Sequence, residues 1–143
     1  MLKNYESSSP LPNIFAEIEK TLATHGAKQI TRDYDGQGRI SAITFVIPTN
    51  KGDLLVKLPA RFDRVKQIFD NQGLRYKPEQ PYRTAWATIR DWLSAQMALF
   101  DWEMVKMDEV FLPYVVWNGM TLYEAFIGDK LLPGKPEEGQ VLP

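Results

Sequence analysis

Cysteine is absent from the 143 residues and histidine occurs once. Such a chain cannot build a disulfide, a zinc-thiolate site, an iron-sulfur cluster or a thiol nucleophile, and a reducing, intracellular setting is the expectation. No apolar run approaches the roughly eighteen residues that cross a bilayer, and the opening MLKNYESSSPLPN lacks the apolar core of a signal peptide. A soluble, cytoplasmic protein with no membrane partner is expected. A glycine-rich phosphate loop is also missing. A Ser-His-Asp arrangement would have to use His25, which sits in the last turn of a helix where the dipole favours a cation; a structural role outweighs a catalytic one there. Acids occur as neighbours, Asp108 with Glu109 and Glu17 near Glu19, which reads as solvated surface. No catalytic residue, metal site or cofactor is assigned.

What is present suits one domain with a full core: 44% apolar and 24% charged residues. Its organising stretch is Glu79 to Phe100. Steps of three and four from Tyr82 reach Ala85, Trp86, Ile89, Trp92, Leu93, Gln96, Met97 and Phe100, the stripe of a long amphipathic helix. Upstream, residues 1–12 lack periodicity and read as a flexible lead-in. Asn13 is placed to cap a helix with Ile14, Phe15, Ile18 and Leu22 on one face and Gly26 as its stop.

The period then changes to two. Lys28 to Tyr34, Arg39 to Ile47 and Leu54 to Leu58 read as three antiparallel strands, joined by DGQG and by a turn over Pro48 to Asp53. Ile43, Phe45 and Ile47 should face the core, with Ala42, Thr44 and Val46 opposite. DYDGQGRISAIT begins like a calcium loop with Asp33, Asp35 and Gly38, but Gln37 and Thr44 break the pattern and strands flank it. A second helix, Arg61 to Gln72, should turn Phe62, Val65, Ile68 and Phe69 inward and stop at Gly73. Pro78 or Pro81 falls in the first turn of the long helix. Beyond Pro113, Val115 to Trp117 looks extended up to an Asn118-Gly119 turn, and Thr121 with Glu124 has the spacing of a capping box for a last short helix. The fold class is α+β: a three-stranded antiparallel sheet packed by one long and two shorter helices, with a C-terminal hairpin and helix. The domain should span 13–128, with an irregular tail over 129–143.

Charge is distributed unevenly although the net is −1. Residues 1–56 hold six basic and six acidic groups, residues 57–90 eight and three, and residues 91–143 three and nine. The basic middle supplies the candidate nucleic-acid-binding set Lys57, Arg61, Arg64, Lys66, Arg75, Lys77, Arg83 and Arg90. Converging on one surface, these would neutralise several phosphates, with Tyr76 or Tyr82 exposed to stack on an unpaired base. Helix, three strands, helix also resembles in element order the double-stranded RNA-binding domain, and the strands with their helix resemble single-strand annealing proteins, without the motifs of either. Gln96 inside the apolar stripe should hydrogen-bond and lock the helix against its neighbours. Trp102 and Trp117 are the tryptophans expected at the surface, where together they would mark a protein interface, such as that of a homodimer or higher oligomer.

The segments KLPAR (57–61), YRTAW (82–86), AQMAL (95–99), VFLPY (110–114) and TLYEAF (121–126), with Asp91-Trp92, resemble those of a group of small, uncharacterised proteins of bacteriophages and prophages. The resemblance spans about Tyr5 to Pro133. It implies a phage or mobile-element setting inside a bacterial host cell, where small proteins serve replication and recombination or disarm host defences. Relatives often carry a basic residue in place of Ala87 and a glycine near Glu103, so any phosphate contact from the former is lacking here. The leading expectation is a non-enzymatic accessory protein that binds nucleic acid, single-stranded, in replication or recombination. The alternative is an anti-defence inhibitor that binds a host protein or sequesters a signalling nucleotide, and a metal-dependent nuclease comes third.

Overall fold

A computed structural model describes residues 2–129. The first helix, α1 (Leu11–Thr24), presents Ile14, Phe15, Ile18 and Leu22 to the core, as its spacing dictates. It starts three residues earlier than expected. Pro10, not Asn13, occupies the cap position, and Pro12 lies in the first turn, where proline's fixed φ favours the helix and its missing amide is not needed. The Asn13 and Ile14 amides donate to the Pro10 carbonyl. Gly26, at φ +93°, ends the helix in the left-handed region.

The sheet follows as β1 (Lys28–Tyr34), β2 (Ile40–Thr49) and β3 (Gly52–Pro59), antiparallel and in sequence order. The β2–β3 ladder extends further than expected, to Thr49 opposite Gly52. Ile43, Phe45 and Ile47 are buried and stand opposite Leu58, Val56 and Leu54, so one face of the sheet is apolar. Thr44 and Val46, opposite Lys57 and Leu55, form the other face.

Two helices complete the packed layer. In α2 (Phe62–Asn71), Phe62 and Phe69 are buried. Ile68 is not inward as expected but 45% exposed. At about 100° per residue it lies well round the helix from the Phe62–Phe69 line, and ten residues turn only one narrow face to their neighbour. The long helix α3 (Gln80–Asp101) lies between α1 and α2. Trp86 is fully buried, its ring edge-on to Phe15 at 5.1 Å and its Nε1–H donating to the Ile40 carbonyl at 3.1 Å. This ties the helix to the sheet through both an apolar contact and a hydrogen bond. Gln96, in contrast, is partly exposed, and its side chain makes no hydrogen bond to the described residues.

Residues 2–10, read from the sequence as a loose lead-in, make specific contacts. Thr84 donates to the Asn4 carbonyl at 2.8 Å, Asn4 Nδ2 donates to Asp91 at 3.0 Å, and Tyr5 sits edge-on to Phe69 at 5.0 Å. After α3, a short helix α4 (Met107–Phe111) places Phe111 against Phe45 and leads through a 3-10 turn (Leu112–Tyr114) into the hairpin β4 (Val116–Trp117) and β5 (Met120–Thr121). Asn118 and Gly119 both have positive φ, +50° and +80°, the geometry of the tight turn expected there. The last helix, α5 (Leu122–Ile127), is capped by the expected reciprocal pair, Thr121 accepting from the Glu124 amide and Glu124 accepting from the Thr121 amide. An antiparallel bridge from Val115 to Val56 lays this extension along the free edge of β3. The tail expected over 129–143 lies outside the described residues except for Asp129.

Candidate nucleic-acid interface

The period of β3 and the pitch of α2 decide which cations meet. Lys57 follows Val56 and precedes Leu58, both buried, so it points to the opposite, open face of the sheet. Arg61 and Arg64, three residues apart at the start of α2, share one side of that helix. The link from Pro59 to Phe62 is only two residues long, which brings Lys57, Arg61 and Arg64 around one cleft of about 640 Å³. Its remaining wall comes from α5 and its cap: Thr121, Tyr123, Glu124 and Ile127. All three cations are exposed, and none has a carboxylate within 4 Å among the described residues.

Glu124 is the acid that this cleft contains. Its carboxyl is held below the ordinary glutamate range, first by the hydrogen bond from the Thr121 amide and that residue's hydroxyl, and additionally by the charges of Lys57 and Arg61. The cleft is therefore cationic with one carboxylate at its rim.

The other five candidates do not line this cleft, although Lys66 shares a smaller depression with Arg64. Lys66 pairs with Asp70 at 3.0 Å, which also accepts from the Tyr76 hydroxyl. Arg75 and Lys77 are exposed in the link beyond the far end of α2, which at 1.5 Å per residue is about 15 Å long. Arg83 faces Glu79 at 3.4 Å and Gln80 at 3.1 Å. Arg90 lies against α1, with Glu17 at 3.5 Å and Asp91 at 3.1 Å. The expected convergence of eight cations is thus corrected to three, because carboxylates on α1, α2 and α3 engage three of the others locally and two lie past the end of α2.

Both candidate stacking tyrosines are employed in packing. Tyr76 packs on Phe69 at 5.3 Å, and Tyr82 accepts the Ile40 amide at 2.8 Å while lying edge-on to Phe62 at 5.2 Å. Partial burial raises the Tyr82 hydroxyl above its usual pKa. The aromatic side chains at the cleft are others, Tyr123 on its wall and Trp92 and Tyr114 just beyond Arg61 and Arg64. Trp92, on the apolar stripe of α3, packs against the core and stays partly exposed; its surroundings depend on how α2 and the 3-10 turn approach the helix, which no local pattern encodes.

His25 bridges the end of α1 and the end of α3. Its Nδ1 lies 2.7 Å from the Thr21 carbonyl and its Nε2 lies 2.9 Å from Asp101. Asp35 of the DGQG turn accepts from the Gln37 and Arg39 amides and from the Arg39 side chain. Glu17 and Glu19 pair with Arg90 and Arg32. Among the described residues no three histidine or acidic side chains come together as a metal site.

Trp102 is 81% exposed at the end of α3 and Trp117 is 42% exposed in the hairpin. Both are at the surface as expected, on separate elements. No helix among the described residues is long and apolar enough to cross a membrane. No protein-family model, no curated protein and no solved structure matches the chain.

Proposed function

We propose that the protein binds single-stranded nucleic acid, without catalysing a reaction on it, through the cleft formed by Lys57, Arg61 and Arg64. The observation that carries this reading is the meeting of three exposed cations, unpaired among the described residues, beside an aromatic wall. Phosphates supply the counter-charge, and unpaired bases can reach the rings, a combination that a duplex with stacked bases does not offer. The likeness to phage and prophage proteins suggests replication or recombination in a bacterial cytoplasm as the setting. Titrating a short labelled oligothymidine at low salt tests it: the wild-type protein should bind, and a variant with Lys57, Arg61 and Arg64 all changed to Ala should not. Equal binding by the two would reject the assignment.

A second reading draws on Trp102 and on Met104, which is 67% exposed. Two exposed apolar side chains just past the end of a long helix suit a protein partner, either a host defence protein that the chain inhibits or a second copy of itself. A partner that stays with the wild type after nuclease treatment and is lost from Trp102→Ala supports this reading.

A further inference from the structure

The cationic cleft has a neighbour. Pro59, Arg61 and Arg64 also wall a second depression of about 430 Å³, closed on its other sides by Val65, Ile89, Trp92 and Tyr114. The two depressions differ in chemistry. The first carries Lys57 and Glu124 in addition to the shared arginines, whereas the second is floored by aliphatic and aromatic carbon. Trp92 is only partly exposed, and its ring is held edge-on by Phe111 and by Tyr114, each at 6.0 Å. Its position is therefore set by packing before any ligand arrives, so a ring placed against it loses little freedom on the protein side.

Two guanidinium groups on the boundary between a charged and an apolar depression select a ligand with the matching division: an anionic group joined over a short distance to a flat, largely apolar one. A nucleotide unit of a single strand has that division, and an extended acidic peptide has the charge without a flat ring at fixed spacing. Resting on the nucleic-acid reading, we infer that a strand binds across both depressions, one backbone phosphate on Arg61 and Arg64 and an adjoining base seated beside Trp92. Arg61 and Arg64 then set the register between backbone and base, and Lys57 takes a neighbouring phosphate. Affinity for a strand with bases exceeds what phosphate charge alone supplies.

The test uses the full chain and two ligands with the same number of phosphates, an oligothymidine and an abasic strand of equal length. For the wild type, the oligothymidine should bind about ten-fold or more tightly, the contribution of roughly one stacked base. In Trp92→Leu, with folding checked by thermal melting, that ratio should fall toward one while affinity for the abasic strand is retained. Equal affinities in the wild type overturn the base seat and leave phosphate binding standing. A ratio that survives Trp92→Leu overturns the assignment to Trp92. Binding of neither ligand at low salt overturns the nucleic-acid reading with it. The ligand comparison is made on unaltered protein, so a poorly folded variant does not remove the test.

Discussion

Replacing Trp86 by Phe probes the joint on which the arrangement of α3 depends. The indole is fully buried and its Nε1–H is the donor to the Ile40 carbonyl at the start of β2. Phenylalanine keeps the edge-on contact with Phe15 but brings no donor. Loss of the hydrogen bond, with a buried carbonyl left short of a partner, costs about 1 to 2 kcal/mol. A residual void of about 40 Å³ at about 24 cal/mol per Å³ adds about 1 kcal/mol. The sum, about 2 to 3 kcal/mol, lowers Tm by about 6 to 12 °C in a chain of this size. Urea denaturation followed by far-ultraviolet circular dichroism, with m unchanged, gives the difference directly. Trp102→Phe is the matched control, since that side chain is 81% exposed, and should change stability by less than about 0.5 kcal/mol. If Trp86→Phe costs no more than Trp102→Phe, α3 is not fastened to the sheet at this point and the placement of Trp92 and Ile89 loses its support.

Other perturbations separate the cap, the rim charge and the turn. Thr121→Ala removes the hydroxyl that accepts the Glu124 amide and should cost about 1 kcal/mol by chemical denaturation. Glu124→Gln keeps an acceptor for the Thr121 amide but removes the charge beside Lys57 and Arg61, so affinity for an oligonucleotide should rise while the melting temperature at neutral pH falls slightly. The Glu124 carboxyl titrates below its unfolded value, so its stabilising contribution is present above the ordinary glutamate pKa and is lost as pH falls through the lower folded value. Comparison of melting at neutral and strongly acidic pH should therefore show a smaller acid loss in Glu124→Gln than in the wild type. Gly26→Ala meets no neighbouring atom but must adopt φ +93°, and should destabilise by about 1 kcal/mol from backbone strain alone.

The features legible in the sequence are those set within one element. The alternation of Ile43, Phe45 and Ile47, the inward face of α1, the Asn118-Gly119 turn and the Thr121–Glu124 cap all follow from spacing and local backbone chemistry. Lys57, Arg61 and Arg64 were also within reach, because two short-range rules and a two-residue link fix their relation. Pairing of Arg90 with Glu17 was not, since it depends on α1 packing against α3 across seventy residues of chain. The same holds for Tyr82, whose hydroxyl accepts an amide from β2, and for the depression beside Trp92, which needs α2, α3 and the 3-10 turn in place together. Gln96 misled for a simpler reason. Leu93 and Met97 on the same turn are buried, and Gln96 lies at the edge of the stripe, where the covering neighbours end.

The slope of log Kobs against log salt concentration for a short single strand tests the grouping of charges most directly. Two phosphates, one held by Arg61 with Arg64 and one by Lys57, neutralised at about −0.7 per phosphate give a slope near −1.4, and Lys57→Ala should reduce its magnitude by about 0.7 whereas Arg90→Ala leaves it unchanged. A slope near −5.6, as about eight contacts would give, or equal losses from the two variants, would contradict the three-cation cleft.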